Sequence, residues 1–182
     1  FLNLKELIED GIELKGKCPG VTRTPAPKTL DDLGKTLPMI FNLLSKESSQ
    51  EVVVDDLAAV LGKFSKNPSD IEKMLLDVFA MSSTSTSLDK TPTTLSFRIP
   101  LSADKKLINA IISAYNTFAK ATPSPKIGLV IDYEKGKVAD HSEILAQTIS
   151  LGGNVTFSKG PCSTNAIKNS SKSTEPSIKL GS

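Results

Sequence analysis

Thr94-Leu95-Ser96-Phe97-Arg98-Ile99 alternates strictly between polar and apolar side chains, the period-two signature of a strand with one buried face. Pro100 stops it, because proline has no N–H to give a ladder. Working outward, Ser102 is read as the cap of a helix over 103–120. Its broad apolar stripe is Leu107, Ile108, Ile111, Ile112, Tyr115 and Phe118. Pro123 and Pro125 mark the next turn. A second strand follows over 127–133, with Ile127, Leu129, Ile131 and Tyr133 on one face. Glu134-Lys135-Gly136-Lys137 reads as a hairpin turn or as the strand's exit. A short helix starts at Asp140 or Ser142 and carries Ile144, Leu145, Thr148 and Ile149. Gly152-Gly153 supplies a left-handed stop, and Val155 and Phe157 mark a last short strand.

Upstream of this strand, helical spacing dominates. Leu4, Leu7, Ile8 and Ile12 share one side of an opening helix. Residues 16–27, with two Gly and three Pro, read as a loop. A helix over about 29–46 aligns Leu30, Leu33, Leu37, Ile40, Phe41 and Leu44, with a kink or break expected near Leu37 because Pro38 removes a donor. A third helix is expected over about 52–65, with Val53, Leu57, Val60, Leu61 and Phe64 inward. Asn67-Pro68-Ser69-Asp70 opens a fourth, which buries Ile71, Met74, Leu75, Val78 and Phe79. Residues 82–94 are nearly all Ser and Thr and read as a linker.

The fold class is therefore α+β (mixed): a helix-rich N-terminal half packed with a small sheet from a strand–helix–strand–helix–strand half. The expected organisation is one composite domain over 1–162, made of a helical half 1–81, the linker 82–94 and an α/β half 95–162. A polar, flexible tail over 163–182 would follow, with residues 179–182 read as a cloning scar.

Composition excludes several functions. Twenty-two Lys and Arg against twenty Asp and Glu leave a net charge of +2, with no long block of like charge. Nucleic-acid binding needs clustered cations to release counterions, so it is not expected. No apolar run reaches the roughly 20 residues needed to cross a bilayer. One His and two Cys cannot complete a four-ligand zinc site, and no metal or cofactor is expected.

Compartment follows from cysteines and sequons. Cys18 and Cys162 each lie beside a proline near the two ends of the ordered pattern, as a disulfide tying those ends would require. Closing so long a loop is worth at most about 5 kcal/mol in the chain-entropy description. Asn154-Val155-Thr156 and Asn169-Ser170-Ser171 are N-glycosylation acceptors, whereas Asn67 is excluded by the proline after it. A secreted or cell-surface location is expected, with the Ser-rich tail suited to a stem leading to a membrane tether.

No catalytic constellation stands out, and no catalytic residue is assigned. Asp140-His141-Ser142 holds the only imidazole, but adjacent residues rarely converge as a triad, and a helix start explains them. Asp31-Asp32, Asp55-Asp56 and the pair Asp132 and Glu134 read as solvated or dipole-favoured carboxylates. The expectation is a non-enzymatic glycoprotein that binds a protein partner. The alternative is a carrier of a small apolar, lipid-like ligand held by Phe41, Phe64, Met74, Phe79 and Phe118, and a hydrolase using His141 ranks below both.

Overall fold

The computed structural model describes residues 2–9, 12–15, 23–47, 51–88, 94–122, 126–133, 138–159 and 177–179. Its centre is a five-stranded sheet in the order β1-β4-β5-β6-β7, every neighbouring pair parallel. The strands are β1 (Leu2–Asn3), β4 (Val52–Asp55), β5 (Leu95–Pro100), β6 (Ile127–Asp132) and β7 (Asn154–Ser158). Three short strands, β2 (Ile12–Lys15), β3 (Arg23–Thr24) and β8 (Ser177–Lys179), form a second sheet in the order β3-β2-β8.

The helices are α1 (Leu4–Glu9), α2 (Leu30–Glu47), α3 (Leu57–Phe64), α4 (Pro68–Leu88), α5 (Lys105–Ala121) and α6 (Ser142–Ser150), the last preceded by a 3₁₀ turn over Val138–His141. The central strands follow one another across the sheet in sequence order. Right-handed crossovers that always step the same way place their helices on one face. The packing agrees: α2 lies on α4, α4 on α5, and α5 on α6.

Alternation along the strands divides the residues between two unlike faces. Val54, Leu95, Phe97, Ile99, Ile127, Leu129 and Ile131 point into the helix layer and are fully or almost fully buried. The Phe97 ring sits 5.1 Å from Phe41 of α2 and 5.5 Å from Phe79 of α4. Phe79 in turn meets Tyr115 and Phe118 of α5. One hydrophobic core thus joins residues from both halves of the chain. The other face carries Asp55, Ser96, Arg98, Gly128, Asp132, Asn154 and Thr156, as the strand register requires.

Several local readings are corrected. Val52–Asp55 is a strand, not the first turn of a helix: three consecutive β-branched valines fit a pleated, covered position. Asp56 then turns the chain at φ 64°, a left-handed conformation that Asp tolerates better than most residues, and α3 begins. Ile12 belongs to β2 and not to the opening helix, while Arg23–Thr24, read as loop, pairs with it.

The Ser/Thr stretch expected as a linker over 82–94 is helical to Leu88. Buried Ser82 returns its hydroxyl to the Val78 carbonyl at 2.7 Å, which satisfies it within the helix. Helix α2 continues through Pro38. Asp104, not Ser102, caps α5, accepting from the N–H groups of Lys106 and Leu107 at 2.9 and 3.1 Å. In the expected tail, Ser177–Lys179 pairs with β2, so Lys179 is part of the fold. Gly152 has φ +73°, the left-handed stop anticipated after α6. No helix among the described residues is long and apolar enough to cross a membrane.

Candidate functional site

Parallel α/β sheets generally take ligands beyond the carboxyl ends of their strands. Here Asp55 ends β4, Asp132 ends β6, and Arg98 lies between them in β5, on the face away from the helices. Arg98 Nε donates to Asp132 Oδ2 at 2.5 Å, and its Nη1 lies 3.6 Å from Asp55 Oδ1. The three side chains retain only 10%, 13% and 17% exposure, in the order Arg98, Asp132, Asp55.

Burial raises the pKa of Asp55, and the more distant guanidinium only partly offsets it. Burial opposes the charge on Arg98, yet the bond to Asp132 and the field of both carboxylates hold its pKa above the ordinary value. Asp55 Oδ1 and Asp132 Oδ1 are buried acceptors with no hydrogen-bond donor among the described residues. The cluster pins β4, β5 and β6 to one another. No group of three or more metal-binding side chains occurs among the described residues.

His141 is buried, and its Nδ1 lies 2.8 Å from Asn109 Oδ1. A carboxamide oxygen only accepts, so Nδ1 carries the proton. Burial first, then the nearby Lys105 charge, lowers its pKa and keeps the ring neutral. Asp140 and Ser142 are exposed, and the Ser142 hydroxyl donates to the Ala139 carbonyl at 3.0 Å. The three consecutive residues form the start of a helix and do not converge as a triad.

The five apolar residues expected to line a ligand pocket do not gather around one. Phe41, Phe79 and Phe118 pack in the core, and Phe64 lies against its margin. Met74 alone reaches a surface cavity, a groove of about 360 Å³ between α2 and α4. Its apolar part is Leu30, Met74 and Met81. Asp31, Lys35, Asp70, Lys73 and Asp77 make a rim of both signs.

Gly34 allows the two helices to close up beside this groove, since a Cβ there would stand 2.9 Å from Met74 Cγ. Pro38 lies four residues beyond Gly34, so the Gly34 carbonyl lacks its usual intrahelical donor. Met81 is 56% exposed, one of three large apolar side chains so placed among the described residues. The sequence signals for the groove were Met74 and Met81 seven residues apart on one helix and the Gly34/Pro38 pair on the other. Neither shows that the two surfaces meet.

Asn154 is exposed at the start of β7. Cys18, Cys162 and Asn169 lie outside the described residues. No family model, no curated protein and no solved structure matches this chain.

Proposed function

We propose that this chain is a non-enzymatic domain of a secreted or cell-surface glycoprotein, and that it binds a protein partner in the groove between α2 and α4. The observation carrying the reading is the groove itself: a thioether-lined floor, an exposed Met81 and a rim of alternating charge. Methionine adapts to irregular partner surfaces and is enriched at protein interfaces. A rim of both signs favours a protein over a polyanion. The cysteines and sequons support the extracellular location.

A second reading rests on the groove's size, which falls at the lower end of small-ligand pockets, roughly 300–1,000 Å³. A small apolar molecule on Met74 and Met81 would fit it. Labelled protein applied to intact cells of its source separates the two readings. Met81→Asp is expected to weaken saturable binding by at least about tenfold, as loss of an interface anchor does. Asp140→Lys, on the opposite end of the helix row, should leave it unchanged. Equal binding by Met81→Asp and wild type contradicts the groove as the binding surface. A retained lipid in native mass spectra of source-purified protein would instead favour the second reading.

A further inference from the structure

We propose that Asn154 carries an N-linked glycan that closes the exposed β7 edge of the sheet to other strands. The proposal rests on the extracellular reading above and adds a role for the sugar.

Asn154-Val155-Thr156 forms the first three residues of β7. Asn154 and Thr156, two apart on a strand, point to the same face, and both are exposed. Among the described residues β7 pairs only with β6, so it is an outer edge of the sheet. An uncovered edge presents a row of N–H and C=O groups to any passing strand, and natural proteins block such edges. This edge is also flanked by apolar surface, with Phe157 45% and Ile149 56% exposed.

Purely parallel sheets are normally covered on both faces. Here the helices form one layer; on the opposite face Ser96, Arg98 and Gly128 are buried, whereas Asn154 and Thr156 stay exposed at the β7 edge. Across that face Ser96, Gly128 and Asn154 stand in register on β5, β6 and β7. Gly128 contributes no side chain. A Cβ there would lie 3.0 Å from both Asn154 Nδ2 and Ser96 Oγ. The Asn154 carboxamide therefore lies against the buried Gly128 backbone, beside the Ser96 hydroxyl. The backbone of Asn154 is held by Tyr115, whose hydroxyl oxygen accepts from Asn154 N–H at 2.9 Å. A sugar attached at this point starts from a fixed site.

Attachment requires a polyisoprenyl-pyrophosphate-linked oligosaccharide as co-reactant. A bond forms between Asn154 Nδ2 and C1 of the first N-acetylglucosamine, while the C1–O bond to pyrophosphate breaks. The pyrophosphate leaves with the electron pair, and one Nδ2 proton passes to a base of the transferase.

The test uses the full chain secreted from a eukaryotic host. Peptide mass spectrometry should find the glycan at Asn154. Sedimentation should then show a monomer before enzymatic release of the sugar and a concentration-dependent dimer after it. Thr156→Ala, which removes this acceptor and leaves Asn169 intact, should behave like the released protein. In the dimer, amide exchange across β7 should slow by about tenfold or more. If Thr156→Ala is not secreted, the enzymatically released protein carries the comparison alone. An unmodified Asn154 overturns the proposal and removes one support of the extracellular reading. A glycan whose loss leaves a monomer with unchanged β7 exchange overturns the shielding role and leaves the glycoprotein reading standing.

Discussion

Replacing Arg98 with alanine is expected to cost about 3–5 kcal/mol of folding stability, the usual penalty for removing one partner of a buried ion pair. Among the described residues Arg98 is the cation that reaches both Asp55 and Asp132, and each of those carboxylates has an oxygen with no donor there. Without the guanidinium, two negative charges would face each other across β5 in a poorly solvated site. A domain of this kind has about 5–15 kcal/mol in total, so the variant should be near its unfolding threshold. Urea denaturation would read this as a large fall in midpoint with little change in slope. A loss below about 1 kcal/mol would mean that the cluster behaves as a solvated surface pair.

Asp55→Asn should be much milder, because burial already disfavours the ionised form at that position. A carboxyl whose folded pKa is raised stabilises the fold below its unfolded pKa and loses that contribution as pH rises through the folded pKa. Asp55→Asn should therefore remove a decline in stability just above the ordinary carboxylate range.

Phe97→Ala is expected to cost a comparable amount, about 3–5 kcal/mol, through lost burial and the cavity left behind. The Phe97 ring has no exposure and is the point where α2 and α4 both meet the central strand. Neither Phe41 nor Phe79 can move into the space without leaving its own contacts with the rest of the core. Phe64→Ala, at the partly buried margin, should cost clearly less. Equal losses at the two positions would contradict a core centred on Phe97.

The legible part of the fold was the part where one period dominated. Strands β5, β6 and β7 and helices α5 and α6 follow from strict alternation or a wide apolar stripe, each bounded by Pro or Gly. Residues 52–65 were ambiguous because Val53, Leu57, Val60 and Phe64 fit a helix face, while the turn at Asp56 leaves no hydrophobic signal. Ser82 to Leu88 looked like a linker because Ser and Thr are weak helix formers. The Ser82–Val78 hydrogen bond and continuation from a strong helix outweigh that preference.

The site was less legible than the fold. Asp55 and Asp132 were seen as solvated, since nothing in the chain order reveals that β5 places Arg98 between them. Met74 was named for its apolar character, but its place in a groove depends on how α2 and α4 cross. Gly34 leaves room for Met74 at that crossing, and its missing side chain becomes meaningful only beside Met74.

The extracellular binding role rests most heavily on how the two sulfur atoms are held in the native molecule. Free thiols should be counted in unreduced protein purified from its source, under denaturing conditions that expose every cysteine. None is expected, with Cys18 and Cys162 recovered in a single cross-linked peptide pair. Two reactive thiols per chain would contradict the extracellular role.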